Sequence, residues 1–290
     1  MTQQASISAK AREFSLSEAE FKKLTGLVYS LTGIVLGDHK RDMVYGRLAR
    51  RLRELGMQSF SQYCDLLDSN KSGQETGFLV NAITTNLTKF YRESHHFEAL
   101  IMQTQKIAQD PVRKQSKELL IWSAGCSSGE EPYSMATTLM SAVPALHSWK
   151  VKILATDLDT NMLNKGKQGI YNADVFKDMQ QPFAKYLKDS CKQVGDKIQM
   201  NERAKSLIHF KHLNLLHQWP MKKQFDVIFC RNVLIYFDQQ TKEGLVDRYT
   251  NQLREGGLLC LGHSESLQNK PADLQLMGKT TYVKTGGGHA

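Results

Sequence analysis

Nowhere in these 290 residues do about eighteen apolar side chains run together, the length a helix needs to cross a bilayer. The opening stretch, MTQQASISAKAREFSLSEAE, also has no apolar core flanked by a cleavage site. The chain is therefore expected to be soluble and cytosolic, without insertion into a membrane, and nothing in it asks for more than a monomer. Cysteine is scarce and scattered: Cys64, Cys126, Cys191, Cys230 and Cys260 contain no CxxC pair. Neither a disulfide framework nor a zinc site follows, and most of these thiols are expected to be small buried apolar groups. His95 with His96, and His209 with His212, have no third ligand beside them in sequence, so no metal is expected. Internal repeats are lacking too. What the chain has in excess is positive charge, +9 formally, which calls for an acidic partner: nucleic acid, a membrane surface or a carboxylate-rich protein.

A hydrophobic content of 41% in a chain this long fills one full-sized core and leaves length for a smaller companion domain. Over roughly 1–80 the apolar residues recur at helical spacing, as in Phe21, Leu24, Val28 and Leu31, without strand alternation, which predicts a small helical domain. Within it, HKRDMVYGRLARRLREL sets Val44, Leu48, Leu52 and Leu55 on one helical face and gathers Lys40, Arg47, Arg50 and Arg51 to one side of that stripe. Residues 81–95 read as a linker, and 96–290 as an α/β domain. There, short apolar runs that end in turn residues (ELLIWSA, VKILATD, LIHFKHL, FDVIFCRN, GLLCLGH) alternate with helical stretches, the signature of a parallel sheet wound with helices. TYVK is expected to be a final antiparallel strand. The polar stretch 171–206 breaks this rhythm and reads as a small inserted subdomain. The tail TGGGHA reads as disordered.

The run IWSAGCSSGEEPYS places a buried strand before a tight turn at Gly125 and Gly129 and a helix opening at Glu130 to Pro132. A cofactor can lie against such a turn at the carboxyl end of the strand. It is not a GxGxxG, and the acids Glu130 and Glu131 would repel a pyrophosphate; they suit a cationic or zwitterionic cofactor. Asp157, ending the strand expected beside the first, can accept both hydroxyls of a ribose, whereas Asp159 is expected to cap the next helix. After FDVIFC, Arg231, Asn232 and Tyr236 emerge at the same carboxyl edge.

These motifs, with TTNLTKFYRESHHF at 84–97, the HLNLL segment, LGHSES and the basic helical run TGIVLGDHKRDMVYGRLARRLRELG, resemble the chemotaxis receptor glutamate methyltransferases over nearly the whole chain. The resemblance implies a Rossmann-like class I methyltransferase sheet carrying a small antiparallel β insertion, preceded by an all-α domain that docks on the receptor. It implies S-adenosylmethionine as cofactor, S-adenosylhomocysteine as product, and receptor glutamates as substrate. Asn86, Thr88 and Arg92, in a connector that contributes to the active site, match positions around the cofactor, and Arg92 also stands near the reacting centre. Glu130 and Asp157 match cofactor-contacting acids, Asn214 and Leu215 the adenine region, and Arg231, Asn232 and Tyr236 the lining of the reaction pocket. Arg92 and Tyr236 are the catalytic candidates, and Lys40, Arg47, Arg50 and Arg51 the receptor-docking face. One departure stands out: several relatives carry a glycine-rich loop in the insertion that captures a receptor's C-terminal tail, whereas KDSCKQVGDK here has only Gly195.

Two other readings make different demands. Amino-methylating nucleic-acid enzymes carry an NPPY-like tetrad where this chain has CRNVLIY, and cytosine-carbon enzymes a Pro-Cys nucleophile, so nucleic acid is not an expected partner. A binding module that uses the cofactor as a signal would differ only in turnover.

Overall fold

Capping chemistry sets where the first helix of the computed structural model begins. The structure describes residues 12–69 and 73–286; the last four residues of the tail lie outside it. The chain divides into two compact units that meet between Thr84 and Thr85. In the first, α1 (Glu18–Thr32) opens with a capping box: the Glu20 backbone N–H donates to the Ser17 hydroxyl, and the Ser17 N–H donates to the Glu20 carboxylate at 2.7 Å. It stops at Gly33, whose φ of 71° ends the helix in a left-handed cap. There follow α2 (Arg41–Glu54), α3 (Phe60–Ser69) and α4 (Gln74–Ile83). Phe21, Leu24 and Val28 of α1 share a core with Val44, Leu48 and Leu52 of α2 and with Phe60 and Tyr63 of α3.

The second unit begins with α5 (His95–Gln109) and α6 (Pro111–Ser116), then β1 (Glu118–Ala124), α7 (Glu130–Ala142), β2 (Lys150–Asp157) and α8 (Thr160–Gln168). The inserted stretch holds β3 (Ile170–Asn172), α9 (Phe183–Lys188), β4 (Cys191–Val194), β5 (Lys197–Met200) and α10 (Glu202–Ser206). The chain then returns to the main sheet with β6 (Ile208–His212), β7 (Phe225–Cys230), α11 (Gln239–Gln252), β8 (Leu253–Leu261), β9 (Leu274–Gly278) and β10 (Thr281–Lys284).

Seven strands lie in the order β6-β2-β1-β7-β8-β10-β9, all parallel from β6 through β8, with β10 antiparallel to both its neighbours. This is the class I methyltransferase sheet that the motifs imply. A buried parallel strand must be apolar on both faces, and β7 is buried at every residue. Alternate residues of β1 serve different cores: Leu119 and Ile121 face the cluster with Phe97 and Tyr133, Leu120 and Trp122 the one with Tyr249. Because the strand order reverses beside β1, the carboxyl ends of β2, β1 and β7 border the crevice where such sheets bind ligands.

The insertion forms the expected antiparallel sheet, ordered β3-β5-β4, with Gly195 (φ 61°) in the two-residue turn between β4 and β5. The stretch read as a linker, 81–95, is divided between the units. Ile83 completes α4 in the helical core, while Phe90 and Tyr91 are buried in the core of the sheet domain.

Candidate functional site

Leaving the sheet at Ala124, the chain turns at Gly125 with φ 80°, where a Cβ would stand 2.3 Å from Val233 Cγ2; a side chain there would push the β7 loop away. The turn is pinned to β2, since the N–H groups of Gly125 and Cys126 both donate to the Thr156 carbonyl at 2.8 and 2.9 Å. Beyond it, Ser127 (φ 47°) donates its N–H to Asp157 Oδ2 at 2.7 Å, and the Asp159 N–H reaches Oδ1 at 2.8 Å. Asp157 is thus a buried carboxylate gripped by backbone N–H groups on both oxygens. Burial raises its pKa against the pull of those donors. Asp159 caps α8 by accepting from the Asn161 and Met162 N–H groups, and its other oxygen accepts from Asn86 Nδ2 at 2.8 Å. The Asn86 carbonyl in turn accepts from the Ser127 hydroxyl at 3.2 Å, so Asn86, Ser127, Asp157 and Asp159 form one network. Thr88, two residues on, is half-buried in the same loop.

The adjacent acids at the head of α7 do different work. Glu131 is buried, accepts from the Ser123 hydroxyl at 2.7 Å and receives Arg231 Nη1 at 3.1 Å. Glu130 accepts only from the Ser128 hydroxyl among side chains of the described residues, and burial raises its pKa. Past β6, Leu213 donates its N–H to the Asp157 carbonyl at 3.1 Å, and the buried Asn214 follows, its side-chain oxygen accepting from the Leu216 N–H at 3.0 Å. Leu215 packs in the Trp122 cluster, and its carbonyl accepts from Trp219 Nε1 and Arg248 Nη1.

Arg231 follows β7 with its side chain only 2% exposed. Besides Glu131, it faces Glu93 Oε2 at 3.4 Å and donates to the Arg92 carbonyl. Its charge is used inside the protein, bracing the 92–93 turn rather than standing open beside the pocket. Burial would raise the Glu93 carboxyl, but the His263 hydrogen bond and the Arg231 charge outweigh it and hold the pKa at about 2. Arg92 Nη1 donates to the Leu87 carbonyl at 2.9 Å, and the Tyr236 hydroxyl lies 3.5 Å from the Thr85 carbonyl, so both catalytic candidates lean on the 85–92 segment.

Positive φ is uncommon for residues other than glycine, yet Tyr91 (53°), Glu93 (54°), Ser127 (47°) and Asn232 (59°) all adopt it around this edge of the sheet. Each is pinned by a side chain: the Tyr91 N–H by Ser134 Oγ, the Ser127 N–H by Asp157, the Asn232 N–H by Glu265, and the Glu93 carboxylate by His263 and Arg231. Such strain, about 1–3 kcal/mol per residue, concentrates where a backbone shape is required by function.

His95 and His96, unlike the sequence reading, do have a neighbour of ligand type: Glu93 brings its oxygen within 4.8 Å of both rings. The Arg231 guanidinium on that same carboxylate already supplies the positive charge a cation would bring. His209 and His212 are exposed on β6.

The basic residues of α2 part company. Arg47 Nη1 donates to the carbonyls of Ile83 and Thr84 at 2.5 and 2.7 Å, closing the end of α4. Arg51 grips the buried Glu75 with two hydrogen bonds at 2.9 and 2.6 Å and lies over the Phe78 ring. Arg50 is 80% exposed, beside Glu54, and Lys40 is exposed in the turn before α2.

The sequence motifs point to Glu131 only together with Glu130, as a pair of acids at the turn, and leave Glu93, His263 and Glu265 unassigned. These last three lie in TTNLTKFYRESHHF and LGHSES, and the signal for them was a polar residue close behind a buried strand or turn.

Comparison with known proteins agrees with this geometry. Residues 86–283 match the family model described as the CheR methyltransferase, SAM binding domain, and 19–84 the one described as the CheR methyltransferase, all-alpha domain. The chain is 39% identical over 274 residues to the chemotaxis protein methyltransferase of Salmonella typhimurium, covering 94% of this chain and 92% of that one. It is 41% identical over 272 residues to the enzyme of that name from Escherichia coli, covering 93% and 92%. Chemotaxis protein methyltransferase 2 of Pseudomonas aeruginosa is 39% identical over 274 residues, covering 93% and 95%. The chain belongs to the CheR methyltransferase family.

Proposed function

We propose that the protein transfers the methyl group of S-adenosylmethionine to glutamate side-chain carboxylates of chemotaxis receptors, giving glutamate methyl esters and S-adenosylhomocysteine. The observation that carries the reading is Asp157: a buried carboxylate at the tip of β2, beside a glycine turn, held in place by backbone N–H groups on both oxygens. The polar groups present fit the cofactor. Glu130 answers its amine, Asp157 the two ribose hydroxyls and Asn214 the adenine, and acids occupy the helix start where a phosphate binder needs open N–H groups. Bound S-adenosylmethionine supplies an electrophilic methyl on a sulfonium.

A glutamate side chain, with a pKa of about 4.3, is already an anion at neutral pH, so the protein needs no general base. Its task is to align the carboxylate with the methyl and exclude water. Arg92 orients the incoming carboxylate or that of the cofactor, and Tyr236 packs or donates a hydrogen bond beside the transferring group. Cysteine chemistry of the nucleic-acid kind finds no support: Cys230 is wholly buried in β7, and burial pushes its thiol well above the usual range. The helical unit docks on the acidic methylation region of the receptor through the two cations of the candidate face that stay exposed, Lys40 and Arg50, with Arg47 and Arg51 occupied in its own structure.

The test is transfer of a labelled methyl from the cofactor to receptor cytoplasmic fragments. The expected product is base-labile label on glutamate. Tight cofactor binding with no label on any receptor fragment would convict the reading and favour a cofactor-sensing module.

A further inference from the structure

The LGHSES segment beyond β8 takes no part in the reading above, yet it touches both loops on which that reading depends. Gly262 and Glu265 close a turn: the Glu265 N–H donates to the Gly262 carbonyl at 2.9 Å, and the Gly262 N–H returns to Glu265 Oε2 at 2.7 Å. The Glu265 side chain is buried and reaches across to the loop after β7. Its Oε2 accepts the Asn232 N–H at 2.8 Å and its Oε1 the Ile235 N–H at 3.1 Å, so one carboxylate holds both ends of the segment that presents Tyr236. The approach tolerates no side chain at Gly262, where a Cβ would lie 2.6 Å from Asn232 Nδ2 and 2.8 Å from the Asn232 nitrogen. In the other direction, His263 Nδ1 lies 2.8 Å from Glu93 Oε1, next in sequence to Arg92. Asn232 and Glu93 both have positive φ, a shape that relaxes unless held.

We propose that the Gly262–Glu265 turn is a clasp that sets the position of Arg92 relative to Tyr236, with His263 and Glu265 as positioning residues for methyl transfer. The proposal rests on the reading that Arg92 and Tyr236 act at the reacting centre. Their contacts run to the two loops, Glu265 to the one after β7 and His263 to Glu93, and it is through these that they act. Misplacement by about 1 Å can cost 10²-fold in rate, so the effect belongs in kcat and not in cofactor affinity.

The experiment uses the full-length protein, receptor fragments and saturating cofactor, with S-adenosylhomocysteine affinity measured by calorimetry. Glu265→Gln, which turns an amide N–H toward a backbone donor, is expected to lower kcat at least tenfold with affinity within threefold of wild type. His263→Ala, at a side chain 69% exposed and safe for folding, should lower kcat about tenfold, and His263→Asn, which keeps a donor near Nδ1, should restore it to within threefold. In an Arg92→Ala background, His263→Ala should cost nothing further, because a clasp acts only through what it positions. Wild-type kcat in His263→Ala, an equal fall in cofactor affinity, or full additivity with Arg92→Ala would each overturn the clasp alone. Wild-type turnover in both Arg92→Ala and Tyr236→Phe would overturn the reading beneath it and the clasp together. If Glu265→Gln does not fold, the His263 series decides.

Discussion

Removing the Asp157 carboxylate tests the cofactor site most directly, and the structure sets the size of the effect. Both oxygens are engaged by backbone, so Asp157→Ala strands the Ser127 and Asp159 N–H groups without an acceptor. Each buried donor left unpaired costs about 1–3 kcal/mol, so the variant should lose at least about 2 kcal/mol of stability before any ligand is added. Cofactor binding loses two hydrogen bonds from ribose hydroxyls to a charged acceptor. At about 1.5 kcal/mol each these sum to about 3 kcal/mol, roughly a 150-fold rise in Kd. Asp157→Asn keeps the shape but turns an amide N–H toward one of the backbone donors, and should fall between. Since burial raises the Asp157 carboxyl, wild-type affinity should weaken on acidification at a higher pH than for an exposed aspartate. The assay is calorimetric titration with S-adenosylhomocysteine at two pH values, with cooperative thermal unfolding as the check on folding. A folded Asp157→Ala protein whose Kd stays within threefold of wild type would refute the ribose assignment.

Other consequences concern stability and docking. His96 is fully buried, and its pKa is pushed down to about 3 by burial first and the Arg231 charge second. The unfolded chain, with a histidine pKa of about 6.5, takes up the proton first, so stability falls as the pH drops below 6.5 and the loss from His96 reaches about 2 kcal/mol by pH 5. Urea unfolding at pH 7.5 and 5 should show a shallower dependence in His96→Phe, and identical slopes would exclude His96 as the source. Arg51→Ala leaves Glu75 buried without its cation and should destabilise the chain by about 3 kcal/mol, against less than about 1 for Arg50→Ala; equal shifts in unfolding would contradict the inward role of Arg51. Lys40→Glu with Arg50→Glu should lower kcat/KM for receptor fragments while leaving cofactor affinity intact, and added salt should do the same to the wild type. Undiminished kcat/KM at low salt would dismiss this docking face.

Buried parallel strands announce themselves, because a strand covered on both faces must be a continuous apolar run; β1 begins and ends where ELLIWSA does. β9 escapes notice for the converse reason. It is the edge strand of the sheet, only Leu274 of LQLMG is buried, and its pairing depends on β10 rather than on its own pattern. The insertion is legible only as a break in rhythm, since strands of three or four residues leave too few positions to show alternation. Side-chain roles at the site were half legible. That Glu130 and Glu131 begin a helix follows from the turn before them, but which one turns inward depends on Arg231 arriving from a strand 100 residues later. The same limit governs the basic helix: spacing puts Arg47 and Arg51 near Arg50, but not that α4 would bring three carbonyls and Glu75 within their reach.

The distribution of charge explains why a strongly basic chain has an acidic site. Around the carboxyl edge of the sheet stand Glu93, Glu130, Glu131, Asp157 and Glu265, with Arg231 as the buried counter-charge of Glu93 and Glu131. Burial raises these carboxyls, and only at Glu93 is it outweighed, by the His263 hydrogen bond and the Arg231 charge together. Such an environment favours a cationic ligand and disfavours an approaching carboxylate. An anionic substrate therefore gains little from the site itself beyond Arg92, whose side chain is a quarter exposed. Attraction over distance has to come from cations that the fold leaves in water, and in the helical unit Lys40 and Arg50 are of that kind. On the proposed function, encounter and chemistry fall to different charges, so a variant that weakens one should leave the other measurable: salt and Arg50→Glu should act on kcat/KM, whereas loosening the turn held by His263 and Glu265 should act on kcat.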